Sequence, residues 1–376
     1  MNFALSEDHE FLRDVARSFV KKEIDLAPLL IPGATVAKSG YDANWKKIVD
    51  VGWPGLIVPE AYGGSEMSCI DLTMVIGELG RALAPRPFFG TLAGTWTLLR
   101  AASDEQKDRL LPGIAAGTAS MALAIADADG SLEGPSSDAR AVAEGDAYIL
   151  SGIKSFVVDA ASATTLVVAA HDGTTRRFFV VDARQDGVRV EVLPWRDITR
   201  QVCNVSFEGA RGEALPVDVV TAWPWIRDRL LLVLSAENAA GIEHVLEATV
   251  AYAKDRVAFG RPIGSYQSIK HVLADVFGSS ECANVLALYA AWALSTDAPD
   301  ASNAAAMAQS YTSEAYVTAT ERSVQIFGAL GFSWEMENHL YFKRARANAT
   351  ILGAASTHRA RMMDAIERAI REERAA

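Results

Sequence analysis

Apolar residues recur at helical spacing in the first third of the chain, at strand spacing in the middle, and at helical spacing again to the end. Residues 8–23 set Phe11, Leu12, Val15, Phe19 and Val20 on one face and charges on the other, the pattern of an amphipathic helix. Ser6 is its expected N-cap, with Glu7 and Asp8 in the first turn, where carboxylates oppose the positive end of the helix dipole. Gly52-Trp53-Pro54-Gly55 and Pro59-Glu60-Ala61-Tyr62-Gly63-Gly64 are rich in turn formers and interrupt the pattern. Further helices are expected over 69–83, 89–102 and 104–116, the last capped by Ser103.

Near residue 119 the period shortens. Met121 to Ala126, Ala147 to Leu150, Ser155 to Val158, Thr165 to Ala170, Arg177 to Val181 and Gly187 to Val192 are short apolar or alternating runs punctuated by Gly and Asp. They predict an antiparallel strand unit that ends near Val217. Beyond Trp223-Pro224-Trp225, helical spacing returns over 226–256, 266–295, 303–330 and 339–372, with Arg261-Pro262-Ile263-Gly264 as a break. The expected organisation is an N-terminal helical domain (1–118), a middle β domain (119–220) and a C-terminal helical bundle (221–376). This is an α+β arrangement, without the strand–helix alternation of a doubly wound sheet.

Composition narrows the class. The 376 residues are 50% hydrophobic and 22% charged, with a net charge of −11. An acidic chain without a basic block is a poor partner for nucleic acid or an anionic membrane, so neither is expected. Cys69, Cys203 and Cys282 are odd in number and far apart, which favours neither a disulfide framework nor a metal cluster. His271, His339 and His358 are isolated, so no metal is expected. Residues 1–8 lack the basic and apolar regions of a signal peptide, and no run is long enough for a transmembrane helix. A cytoplasmic location is the expectation.

The most specific segment runs from Tyr252 to Gln267 and contains Arg256-Val257-Ala258-Phe259-Gly260-Arg261-Pro262-Ile263. A helix ends in basic residues, a turn follows, and a second helix begins; the planar fork of Arg256 suits a pyrophosphate. In Gln325-Ile326-Phe327-Gly328-Ala329-Leu330-Gly331-Phe332, small residues allow close backbone approach. Each segment alone also reads as a helix junction. Together with Pro59–Gly64, with Leu150-Ser151-Gly152-Ile153-Lys154 and with the domain order, they make the chain resemble the acyl-CoA dehydrogenase family along nearly its whole length. That resemblance implies a helical N-terminal domain, a β-barrel-like middle domain and a C-terminal four-helix bundle. It further implies FAD as cofactor, an acyl-CoA substrate oxidised to the 2-enoyl thioester, and an electron-transfer flavoprotein as acceptor. In the family the flavin site is split. One subunit's β domain holds the ring, and a neighbour's bundle holds the adenine diphosphate end. By position, the neighbour-side residues are Arg256, Phe259, Gln267, Gln325 and Gly328, with Ala329 replacing a family glycine.

The ring side departs from the family pattern. Ala126-Asp127-Ala128-Asp129-Gly130-Ser131 puts Ala126 where a threonine donates to the ring, and leaves Ser131 at the end of that segment. Phe156-Val157-Val158 replaces Trp-Ile-Thr. Phe156 retains a stacking surface, but Val158 offers no hydroxyl donor. Either backbone amides replace the two donors or the domain no longer holds a ring. The base departs too. The resemblance puts a carboxylate at one of two positions, occupied here by Leu352 and Leu230. Asp228 is the nearest replacement, read either as a displaced base or as a paired helix residue; Glu237, two turns on, reads as a bundle contact. Glu335 and His339 in Trp334–His339 read as polar contacts at the bundle end.

These departures resemble the base-lacking subunit of actinobacterial α2β2 dehydrogenases for CoA esters of steroid side chains, paired with a second acyl-CoA-dehydrogenase-like subunit. Two alternatives stand beside this reading: a self-sufficient homomer with a displaced base, and a non-enzymatic scaffold of the same fold.

Overall fold

The computed structural model describes residues 5–34, 43–83, 86–134 and 137–375. Among the described residues, five helices come first: α1 (Glu7–Glu23), α2 (Ala43–Asp50), α3 (Cys69–Arg81), α4 (Phe88–Ala101) and α5 (Asp104–Ala115). Local sequence sets their starts. Ser6, Ser68 and Ser103 each accept from the backbone N–H three residues on, and the side chain at that third position returns the bond. Helix α4 is buried along almost its whole length, which matches its uniformly apolar sequence.

Seven strands follow among the described residues: β1 (Met121–Ala124), β2 (Arg140–Glu144), β3 (Ala147–Val158), β4 (Thr165–His171), β5 (Arg176–Asp182), β6 (Val188–Val192) and β7 (Val202–Asp218). They pair in the order β1-β4-β2-β3-β7-β5, and β5 also pairs with β4, so five strands close on themselves into a small barrel. Leu150, Leu166, Val168, Phe179, Val205 and Phe207 fill it. Two strand expectations need correction. The unit is not wholly antiparallel: β1 runs parallel to β4, because the β2–β3 hairpin lies within their connection. The 17-residue β7, read only as the tail of the unit, pairs with β3, β5 and β6.

The C-terminal part comprises α6 (Val219–Asp255), a hairpin of β8 (Val257–Ala258) and β9 (Arg261–Pro262), α7 (Gln267–Ser295), α8 (Ala301–Phe327), α9 (Asn338–Asn348) and α10 (Ala355–Ala375). Helix α6 begins before the expected break. Asp218 caps it by accepting from the Thr221 N–H at 2.8 Å, and Pro224 is accommodated inside the helix near its start. The expected helix over 339–372 is two helices, both packed on α8, so the bundle's fourth position is shared. The chain breaks where Leu352 (φ 63°) and Gly353 (φ 107°) both take left-handed conformations that no helix continues through. Helix α3 packs on α1 and α6, and α4 lies against β1 and α6. One core therefore joins the N-terminal helices, β1 at the side of the barrel and the start of α6.

Candidate functional site

A cavity of about 560 Å³ opens where these parts meet. Its walls come from α4 (Phe89, Gly90, Ala93), from β1 and the loop after it (Leu123 and residues between Ile125 and Glu133), from the end of β3, from Leu230 of α6, and from the Thr350–Gly353 break. Trp195, Val202, and Thr357 and Arg361 of α10 complete it. Its size and mostly apolar lining are those of a small-molecule site.

Leu230 and Leu352 both line this cavity, one from α6 and the other from the break between α9 and α10. The two places where the resemblance expects a base are thus neighbours of one space, and both are aliphatic. Asp228 lies apart from them. It is buried, its Oδ1 accepts from Arg227 at 2.9 and 3.0 Å, and it is absent from the cavity wall. Two residues before Leu230 on the helix, the side chain is turned to a different side of α6, in the arrangement of a paired helix residue. Glu237 is likewise buried, held by Arg200 at 2.6 Å and Asn348 at 3.2 Å.

One carboxylate on the wall went unnoticed in the sequence. Glu133 Oε1 accepts from Arg227 at 2.8 Å and from Trp223 Nε1 at 3.2 Å, with Arg361 at 3.7 Å. Burial works against its charge, but the Arg227 hydrogen bond and the two guanidinium charges outweigh this and hold it below the usual carboxylate range. A base for a weakly acidic carbon needs the opposite shift.

The break itself is braced by His358. Its Nδ1 faces Arg361 at 3.4 Å, and an arginine only donates, so Nε2 carries the proton and donates to the Gly353 carbonyl at 3.1 Å. Burial, helped by the charge of Arg361, pushes its pKa down to about 4, so the ring is neutral at pH 7.

The loop expected to face a flavin ring is tied to itself and to the barrel. The N–H groups of Asp127 and Gly130 donate to Ser131 and Asp127 carbonyls, that of Ser131 to Asp129 Oδ1, and that of Ala128 to Asp138 Oδ2. Beneath it, the fully buried Lys154 ammonium donates to Asp127 at 2.5 Å, Ser137 at 2.7 Å and the Ile125 carbonyl at 3.2 Å. Burial lowers the Lys154 pKa to about 8 despite that partnership. Gly152 makes the arrangement possible. Its φ is 113°, and a Cβ there would lie 2.1 Å from the Asp138 carbonyl. Phe156 occupies a bulge at φ 54°, outside the β3–β7 register, with its half-exposed ring on the cavity wall beside Gly130. Ala126, Ser131 and Val158 also border the cavity. The surface expected to face a ring therefore offers Phe156 as a stacking face, carries Ala126 and Val158 where the resemblance expects hydroxyls, and has four of the six amides of Ala126–Ser131 bonded internally.

The other expected surface lies at the far end of α6. Tyr252 stacks on Phe327 with ring centroids 4.0 Å apart, which brings the ends of α6 and α8 together. Around that stack lie Arg256, Phe259, Gln267, Gln325 and Gly328, at least partly open to solvent. Phe259 is 97% exposed and has φ 52°, at the tip of the β8–β9 hairpin. No ion pair engages Arg256 among the described residues. Gly331 lets the turn after α8 close, since a Cβ would meet the Val324 carbonyl at 2.8 Å. Gly328 has φ 64° and nothing above it, an open backbone position.

Glu335 and His339 form no metal or acid–base pair. His339 is buried beside Trp334 and Lys343, and burial pushes its pKa down to about 4. Among the described residues, no cluster of His, Cys, Asp and Glu is arranged to hold a metal ion, and no helix is long and apolar enough to cross a membrane.

Two family models match the chain: acyl-CoA dehydrogenase, N-terminal domain, over residues 6–118, and acyl-CoA dehydrogenase, C-terminal domain, over residues 229–367. The chain is 32% identical to the acyl-CoA dehydrogenase IpdE2 of Mycobacterium tuberculosis (strain ATCC 25618 / H37Rv), over 92% of this chain and 93% of that one. Among solved structures it is similar to a single-residue variant of the Tcur3481-Tcur3483 steroid ACAD, with 26% identity, a TM-score of 0.85, and coverage of 97% and 99%. It shares its fold with the ChsE4-ChsE5 complex from Mycobacterium tuberculosis, at 23% identity, a TM-score of 0.84, and coverage of 98% and 99%.

Proposed function

The chain belongs to the acyl-CoA dehydrogenase family, and from that premise we infer that it is the non-catalytic subunit of a heteromeric, FAD-dependent acyl-CoA dehydrogenase. In this reading its bundle end completes the flavin site of a partner that carries the base. FAD, when bound, accepts the hydride from the β-carbon of an acyl thioester whose α-proton a carboxylate removes.

The observation that carries this reading is the contrast between the two surfaces joined by α6. Leu230 borders the cavity, and Arg256 ends the helix about 40 Å away at 1.5 Å rise per residue. Groups so far apart on one chain do not grip the two ends of one dinucleotide. The cofactor that Arg256 holds is thus shared with another chain. The residues at that end suit an adenine diphosphate. Arg256 offers paired N–H donors without a competing carboxylate among the described residues, and Phe259 offers a bare ring. Gln267, Gln325 and the open backbone at Gly328 add polar contacts beside them. The cavity of this chain fits a flavin ring poorly, and no step of the reaction is placed there.

A steroid-type acyl thioester is the proposed substrate of the complex, supported by the steroid ACAD relative and its paired designation. An electron-transfer flavoprotein is the proposed acceptor, as implied by family membership. A self-sufficient homomer would have to use Glu133, the carboxylate on the wall, whose charge is already taken up by the hydrogen-bonded Arg227, with Arg361 3.7 Å away.

The test is acyl-CoA oxidation by three preparations: this chain alone, a base-bearing acyl-CoA-dehydrogenase-like partner alone, and the two together. The reading expects turnover only from the pair, and loss of that turnover with Arg256→Ala in this chain. Turnover by this chain alone sinks it.

A further inference from the structure

We propose that the cavity of this chain is a ligand site in its own right, taking a bulky apolar carboxylate whose head group docks on Arg361. The inference rests on the reading that no flavin ring occupies this cavity.

The walls supply about 560 Å³ of mostly apolar space, bounded by Leu123, Leu230, Ile351 and Leu352. The two charged side chains on the wall, Glu133 and Arg361, lie together where α10 meets the loop after β1. Of the two guanidiniums there, Arg227 has all three nitrogens bonded, with Asp228, Glu133 and Ser302 as acceptors. Arg361 is not. It borders the cavity, is only 21% exposed, and makes one long hydrogen bond, to His358 Nδ1 at 3.4 Å, beside a long ion pair with Glu133. Glu133 lies 3.7 Å from it, beyond hydrogen-bond distance, with its carboxylate drawn towards Arg227 and Trp223. A guanidinium has five N–H donors. Most of those on Arg361 have no acceptor among the described residues, at the edge of an apolar chamber. A carboxylate is the group that satisfies such a fork, through two parallel charge-assisted bonds. His358 fixes the site twice over, since it braces the Gly353 turn with Nε2 and orients Arg361 with Nδ1.

The full chain, alone and in complex with its partner, should be titrated calorimetrically with decanoate and with methyl decanoate, an uncharged analogue of similar size. Decanoate should bind the lone chain at one site, at least tenfold more tightly than the ester. Arg361→Gln should bring the two within about twofold by weakening decanoate alone, and Arg361→Lys should keep part of the preference. Equal binding of both probes, no binding of either, or a preference that survives Arg361→Gln would overturn the proposal. FAD content measured on the same samples separates the two readings. One FAD per lone chain removes the premise that the cavity is free of flavin. A flavin-free chain that ignores decanoate removes this inference and leaves the subunit assignment standing.

Discussion

The two ends of helix α6 differ in what they have left to offer a ligand. At the Leu230 end most of the loop amides are bonded internally, the carboxylates are paired with arginines, and aliphatic side chains stand at both positions where the resemblance expects a base. At the Arg256 end an arginine, two glutamines and a phenylalanine stand open to solvent on a framework fixed by the Tyr252–Phe327 stack. An exposed aromatic at a left-handed residue is costly in a free monomer and is characteristic of binding surfaces. Burial decides which side chains keep a fold intact; exposure of a rigid, unpaired set shows which are held ready for something else.

The largest effect should come from the polar tie under the cavity loop. Lys154→Met leaves Asp127 buried without its closest partner, with Arg176 3.7 Å away as the remaining cation. The expected loss is about 3 kcal/mol of stability, read from urea unfolding. A loss below about 1 kcal/mol would mean that the loop is free to reorganise around a ring, which weakens the contrast.

Next in size is Arg256→Ala. Losing a charge-assisted fork should weaken FAD binding by the complex by about 10- to 100-fold, with this chain's own unfolding midpoint unchanged. Phe259→Ala should act in the same direction and less strongly. If either variant unfolds the lone chain, the exposed end is structural.

Acid should act at both ends. The folded pKa values of His358 and His339 are about 4, below the unfolded value of about 6.5. Between these values the unfolded chain binds more protons, so stability falls as pH drops from about 6.5 towards 4 and is insensitive to these groups above about 6.5. His358→Gln should make that slope shallower, measured as unfolding midpoint against pH. A slope unchanged by the substitution would show that His358 is not held neutral.

The smallest expected effect is none. Leu352→Glu restores a carboxylate at a family base position, yet the lone chain should show no acyl-CoA oxidation, because the ring donors at Ala126 and Val158 remain absent. Measurable turnover would show that the base alone was missing.

Much of the architecture is legible in the sequence because it follows from period and capping. Ser6 and Ser103 mark helix starts, and short apolar runs mark β3, β4 and β5. The errors have physical causes. Pro224 reads as a stop, yet Asp218 starts α6 ahead of it. The break at Leu352 and Gly353 has no proline to announce it. The short β2 alternates too weakly to separate from its turns. The surface around Arg256 follows from contiguous motifs. The Glu133–Arg227–Arg361–His358 cluster does not, because it is assembled from a loop, α6 and α10 by tertiary packing, and no local spacing links its members.

The central claim is that this chain holds one end of a flavin that belongs to another subunit. Its most direct test is FAD per chain, measured by absorbance after denaturation, for the lone chain and for its complex with a base-bearing partner. The account predicts a colourless lone chain and about half an FAD per chain in the complex, one cofactor for each unlike pair. One FAD per chain in the lone protein would contradict it.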